Sequence, residues 1–477
     1  MNVIKYSLFE RISLRLAMKF RAKHLFSMRI LTVTQSIYVL LINFIAIVSS
    51  RIPAILRRAL VDMSVAVLLI IGVLKYCSQE IKYITQYHHW SVTTGTVMLA
   101  ILTVALIDKN KYTVNDNINR LFWAGWIGSF AWMFALSFFH PVEDAYQVWS
   151  MLSILLFPVM FIICAQSDRV KELFNLVADR TILVAFAFFI VTLIVVPFLP
   201  IVKSASYYGM ASNPNHNGML STGFYSAALY KLIADKKRPL VYLFLMGMCI
   251  ALSVASNTRT SILAIILESI LALIYLLSRK SNKNTTGKLI LQIAIGATIA
   301  LLTATVSGFL LKTIDKTCFT AEAMTSTSEQ EDTFQKLDRI SSKRITLWKA
   351  YIEKSTFFGN GWSGEPVIDG MRTSRWPHNT AIDILYTSGV PAFIGYIAWC
   401  LACLAFIIKS IFERNSFVYE KYYSMIVFTG YFTEAMLEVT IFPMTTGLAF
   451  MAMLGLIPVS IKDNRRQTER YIYGDKA

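Results

Sequence analysis

The sequence predicts an all-α polytopic membrane protein of about 12 transmembrane helices with one large loop outside the membrane. Composition is the first reason. Of 477 residues, 55% are hydrophobic and 16% charged, whereas soluble domains carry about 25% charged residues. The mean hydropathy is +0.53. Spacing is the second reason: apolar runs of roughly 20 residues, long enough to cross a bilayer, recur along almost the whole chain. This balance excludes a disordered chain, a secreted disulfide scaffold and most soluble enzymes.

Thirteen runs are candidates. The first seven are 30–49, 59–76, 90–107, 121–139, 147–165, 181–201 and 217–234. The remaining six are 239–256, 260–277, 289–310, 389–408, 422–441 and 443–461. Cytoplasmic loops collect Lys and Arg, so the tail with Lys462, Arg465, Arg466 and Arg470 is placed inside. Segments 166–180, 235–238, 278–288 and 409–421 then fall inside, and 140–146, 202–216, 257–259 and 311–388 outside. Thirteen crossings would leave the N-terminus outside, although its first 29 residues set seven basic side chains against Glu10. One early run is therefore expected not to span, and both termini are expected in the cytoplasm. The connection Arg51 to Arg58 falls on the wrong side in one version.

The expected organisation is a basic cytoplasmic N-terminus (1–29), transmembrane helices (30–310), a periplasmic catalytic loop (311–388), C-terminal transmembrane helices (389–461) and a cytoplasmic tail (462–477). The net charge of +17 is topology on this reading, and no nucleic-acid partner is expected. Cys400 and Cys403 form a CxxC inside an apolar run with no second pair nearby, which reads as packing and not as a metal site. A bridge between Cys77 and Cys318 has only a shared compartment in its favour.

The long outer segment is nearly neutral, with ten basic and nine acidic residues between Leu311 and His378. Phe334, Leu337, Ile340, Leu347, Trp348 and Tyr351 recur at helical spacing, predicting an amphipathic helix over 330–354. A Gly-rich turn, Gly359 to Gly364, follows. A second short helix is expected to start at Asn379, which can cap it. Gly359, Gly361 and Gly364 spell GxGxxG, but no strand precedes them, so a dinucleotide site is excluded.

Several residues could carry chemistry. Arg259 stands in the tight outer link Ser256 to Ser261. It reads either as a snorkelling anchor or as a phosphate ligand, for which a planar, permanently charged fork is suited. Arg344 interrupts the apolar face of the amphipathic helix, a costly place for a charge without a partner. A structural ion pair and an anionic ligand both explain it. His378 precedes a helix start, where anions are favoured, and its imidazole can serve as general base or phosphate donor. The surface-histidine reading weakens with Trp376, Pro377 and Asn379 crowding the same turn. Asn213 and Asn215 head a span on the outer side, as a capped loop or as ligands of sugar hydroxyls. Arg339, Trp348, Arg372, Arg375 and Asn379 are further candidates for binding substrate. Glu268, Glu434 and Glu438 lie within spans and are expected to face the bundle interior, as proton acceptors or as partners of the arginines. No DxD and no Cys/His cluster occurs, so neither a metal nor another cofactor is expected.

Four stretches in this order resemble the bacterial O-antigen ligase and O-antigen polymerase superfamily. They are Ser212-Asn-Pro-Asn215; Asn257-Thr-Arg-Thr-Ser261; Arg344-Ile-Thr-Leu-Trp348 with Phe358-Gly-Asn-Gly361; and His378-Asn379 followed by Gly389-Val-Pro. The resemblance covers roughly 205–400; the N-terminal half agrees only in hydropathy. It implies a GT-C-like, metal-independent glycosyltransferase of the bacterial inner membrane, with its active site facing the periplasm. The implied donor is an undecaprenyl-diphosphate-linked glycan. The implied acceptor is a lipid A-core sugar in ligases, or a second lipid-linked glycan in polymerases. Arg259 and Arg344 would bind the diphosphate, and His378 would lie at the reacting centre. The competing class is a polysaccharide transporter or flippase, which should show pseudo-symmetric halves with helices broken at mid-membrane. This chain shows no matching halves.

Overall fold

The computed structural model describes residues 33, 35–107, scattered positions between 125 and 163, 170–195, 202–203, 206–235, 238–277, 344–361, 367–368, 371–372, 377–412 and 419–438. These residues are helical apart from two short hairpins and their connections. In chain order the helices are α1 (Gln35–Ser49), α2 (Ala54–Tyr76), α3 (Gln79–Ile84), α4 (Tyr87–Leu106), α5 (Val170–Val195) and α6 (Pro214–Ala234). They continue as α7 (Pro239–Ala255), α8 (Arg259–Leu277), α9 (Arg344–Glu353), α10 (Thr380–Phe412) and α11 (Tyr419–Ala435). The hairpins pair β1 (Val202–Lys203) with β2 (Ser206–Tyr207) and β3 (Val367–Ile368) with β4 (Met371–Arg372), both antiparallel.

Among the described residues, four helices are long and apolar enough to cross a membrane: α2, Leu173–Thr192 within α5, α8 and α10. Large apolar side chains cover the outside, among them Leu40, Phe44, Ile55, Leu240 and Ile394, each more than 60% exposed. In water such a surface would invite aggregation; against hydrocarbon it is the favoured one. The protein is a multi-pass membrane protein. Its centre is α6, which packs on α5, α7, α8 and α11 and is buried without a break from Asn217 to Leu232. A helix enclosed on every side belongs to a core. This one nevertheless carries Asn217, Ser221, Thr222 and Ser226, so the bundle encloses a polar column.

The helix ends define two faces. At one, Ser212 donates its backbone N–H to Tyr76 O at the end of α2 (2.9 Å), and Cys77 bridges Ala211 just before α6. At the other, buried Arg57 near the start of α2 donates to Ser49 O (2.5 Å) and Ile107 O (3.1 Å). Arg57 thereby satisfies carbonyls that the ends of α1 and α4 leave open. The basic connection Arg51 to Arg58 thus lies on the face opposite Ser212. That face also holds the ion pairs Arg180–Asp62 and Lys231–Asp179 (2.8 Å). These pairs accompany a difference from the hydropathy reading: α5 starts at Val170 and not near residue 181. Its charged first turns meet partners on α2 and α6, so the helix runs on past its apolar part. Cys77, Cys400 and Cys403 are free and buried.

The predicted short helix at Asn379 and the span 389–408 both form; the two helices meet in a kink at non-helical Gly389 (φ 81°, ψ −177°), with Pro391 just beyond, and together make up α10. Asn379 does cap it, its Oδ1 accepting from Ile382 N at 3.1 Å. A proline inside a helix leaves carbonyls one turn earlier without partners. The Gly-rich turn supplies them: Asn360 N donates to Tyr386 O (2.8 Å) and Gly361 N to Thr387 O (3.0 Å). In return Val390 N donates to Phe357 O (3.0 Å). Trp132 Nε1 and Ser129 Oγ cover Ser388 O and Ala392 O, each at 3.0 Å. Gly359 and Gly361 also have positive φ, so the first two glycines of the GxGxxG stretch serve backbone docking; Gly364 lies outside the described residues. A Cβ on Gly389 would overlap Phe357 O in a left-handed conformation. Gly389→Ala is therefore expected to destabilise the fold by at least ~1–3 kcal/mol. An unchanged melting midpoint in detergent would show that the loop does not dock there.

Candidate active site

The site is assembled on the Ser212 face around one carboxylate. Glu438 lies three residues past the end of α11 and is 9% exposed. Its Oε1 accepts from Asn215 Nδ2 (2.8 Å) and Arg344 Nη2 (3.2 Å), and its Oε2 pairs with His378 Nδ1 (2.9 Å). A buried carboxylate needs such donors, and these come from α6, α9 and the entry to α10. Arg344 also donates Nη1 to Leu437 O at 2.6 Å. Leu347 and Tyr351 bury the apolar side of α9, which holds Arg344 over the end of α11. Of the predicted amphipathic helix, 344–353 is helical; 330–343 lies outside the described residues.

His378 has φ +48°, a conformation rare outside Gly and Asn and characteristic of functional sites. Its neighbours hold it there. Trp348 Nε1 donates to Pro377 O (2.6 Å), Asn379 Nδ2 to Met436 O (2.9 Å) and Thr380 Oγ1 to Glu438 O (2.9 Å). With Nδ1 donating its proton to Glu438, Nε2 of the neutral ring is left as an acceptor.

Beside it, Asn213 caps α6, its side chain accepting from Asn215 N at 2.9 Å. His216 pairs through Nδ1 with Ser212 Oγ (2.9 Å), and its ring lies 4.8 Å from that of Tyr76. Burial holds this imidazole down at about 4, partly offset by the Glu438 charge, so His216 is neutral at neutral pH. Arg259, the first residue of α8, is exposed and makes no ion pair among the described residues. It follows a tight link in which Thr258 N and Oγ1 both donate to Ser253 O at 3.0 Å, with Asn257 at φ +53°.

Residues 241–397 match the family model described as O-antigen ligase. Over these residues the chain is similar to the O-antigen ligase family. No curated protein and no solved structure matches the chain. The O-antigen ligase match covers Arg259, Arg344, Trp348, His378 and Asn379, and stops short of Asn213, Asn215 and Glu438 on either side. The fold brings Arg344, His378 and Asn215 together on Glu438, with Trp348 and Asn379 bracing the His378 turn. Arg372 lies in β4 opposite Val367, and Arg339 and Arg375 fall outside the described residues. His216 is absent from the sequence-based candidates, whereas Glu438 was among them as a proton acceptor or a partner of the arginines and does pair with Arg344. Glu438 was legible as an interior carboxylate; its tie to His378, 60 residues away, was not.

Proposed function

We propose that the protein is a glycosyltransferase that moves a glycan from undecaprenyl diphosphate to a lipid A-core sugar at the periplasmic face of the inner membrane. The observation that carries this reading is the Glu438 hub, which holds a histidine and an arginine in one polar cluster at the end of a bundle with an apolar outer surface. In the reaction, His378 Nε2 takes the proton of the acceptor hydroxyl as its oxygen bonds to the anomeric carbon. Glu438 keeps Nδ1 protonated and stabilises the imidazolium that forms. The bond from the anomeric carbon to the diphosphate oxygen breaks, and undecaprenyl diphosphate leaves with the electron pair. Arg344 has N–H groups beyond the two engaged with Leu437 and Glu438. With Arg259 it offsets the charge developing on the leaving diphosphate. Asn213, Asn215, Trp348, Arg372 and Asn379 are assigned to substrate binding, as are Arg339 and Arg375, which lie outside the described residues.

A diphosphate is a good leaving group, and two guanidinium groups can do the electrostatic work that a divalent ion does elsewhere. Transfer by purified protein is accordingly expected to survive EDTA. Loss on chelation with recovery on adding magnesium or manganese would overturn that point. The same assay, run with purified lipid-linked glycan and either lipid A-core or a second lipid-linked glycan, separates the ligase reading from the polymerase reading. Product with the second acceptor alone would make the protein a polymerase.

A further inference from the structure

Below the hub, the polar column has a second node. Glu434, one helical turn before Glu438, is 1% exposed. Its Oε1 accepts from Ser261 Oγ of α8 (2.7 Å) and from Thr222 Oγ1 of α6 (2.8 Å). Ser261 lies in the first turn of α8, two residues after Arg259. The start of α8 is also wedged against α6: a Cβ on Gly218 would overlap Ser261 Oγ and lie 2.7 Å from Thr258 Oγ1. The start of α8 therefore meets α6 on one side, at Gly218, and α11 on the other, at Glu434. Asn217 Nδ2 adds a bond to Ser256 Oγ at 3.1 Å. Tight packing alone would be served as well by an apolar side chain, and a buried carboxylate in a membrane bundle is costly. Glu434 places that cost where one carboxylate joins the helix that begins with Arg259 to the helix that ends in the Glu438 hub.

We propose that Glu434 is a positioning residue: by bonding Ser261 and Thr222, it sets where Arg259 stands relative to Arg344 and His378, and so fixes the spacing of the two arginines on the donor diphosphate. The inference rests on the proposed role of Arg259. It makes Glu434 act on donor binding through Arg259, and it leaves the His378 step untouched.

The test is glycan transfer by full-length protein in detergent, with undecaprenyl-diphosphate-linked glycan varied and acceptor saturating. Glu434→Leu and Ser261→Ala are each expected to raise the donor KM about tenfold, with kcat changed less than about threefold. Glu434→Gln, which keeps an acceptor oxygen for both hydroxyls, is expected to stay within about threefold of wild type. If Glu434→Leu does not fold, Ser261→Ala removes the same contact by deleting a single hydroxyl. The deciding measurement is the double variant: with Arg259→Ala already present, Ser261→Ala should raise the donor KM no further. Losses that multiply in the double variant, or a fall in kcat at unchanged KM, would overturn the inference while leaving the role of Arg259 intact. An unchanged donor KM in Arg259→Ala alone would instead overturn the diphosphate assignment, and this inference with it.

Discussion

Replacing His378 by alanine is expected to lower glycan turnover by roughly 10²–10⁴-fold while leaving donor binding nearly unchanged, the range for loss of a positioned general base. The Glu438 contact to Nδ1 is the reason to expect the upper part of that range, since it fixes both the tautomer and the direction of the ring. Glu438→Gln should fall between wild type and His378→Ala: it keeps an oxygen for the imidazole but removes the charge that stabilises its protonated form. Backbone conformation has to be separated from chemistry, because His378 sits at φ +48°. Asparagine tolerates that region far better than alanine does. His378→Asn therefore keeps the turn and lacks the base. Equal losses in the two variants, at normal levels in the membrane, assign the effect to the imidazole. Recovery of turnover in His378→Asn would mean that the turn, and not the ring, is what the site needs.

How far this site could be read from the sequence depends on the range of each interaction. The helices around the centre were legible where local chemistry marks their ends. The runs 217–234, 239–256 and 260–277 lie within a few residues of Pro214–Ala234, Pro239–Ala255 and Arg259–Leu277. Two of these open with proline, and Asn213 caps one of them. Hydropathy failed where tertiary partners override it: the first part of α5 is charged, and its Arg180 and Asp179 pair with Asp62 and Lys231 from other helices. It held at α10, where Gly389 and Pro391 mark a real boundary: Gly389 is non-helical, and two helices meet there. The carbonyls exposed there are covered by the 359–361 turn and by Trp132 and Ser129, contacts that the sequence does not announce. At the site, each donor was visible by itself, because Arg344 on an apolar face and His378 before a capped helix are local anomalies. The acceptor was only half visible. Glu434 and Glu438 repeat at one-turn spacing at the outer end of a span, a sign of an interior polar face, but nothing in their neighbourhood names the residues they meet. Runs 289–310 and 443–461 and positions 330–343 lie outside the described residues.

Removing the Arg344 side chain should cost two things that can be measured apart. As a diphosphate ligand, Arg344 supplies a charge-assisted contact of about 1.5–3 kcal/mol, so Arg344→Ala is expected to lower kcat/KM for the donor roughly 10- to 100-fold. As a partner of Glu438, it also offsets a nearly buried carboxylate, and its loss should lower the melting midpoint as well. Arg259→Ala provides the contrast. Arg259 is exposed and pairs with no described carboxylate, so its loss is expected to weaken the donor to a similar degree with no change in melting. Lysine at either position should rescue only in part, because a point charge lacks the planar fork that meets two phosphate oxygens. In Arg344→Ala, adding Glu438→Gln should restore part of the stability by removing the uncompensated charge, yet restore none of the donor affinity. Lys349 serves as the control: it lies on the exposed side of α9, within 3.8 Å of Glu353, and Lys349→Ala should leave both readouts near wild type. Near-normal transfer by both Arg344→Ala and His378→Ala would place the chemistry elsewhere and give the transporter reading the larger claim.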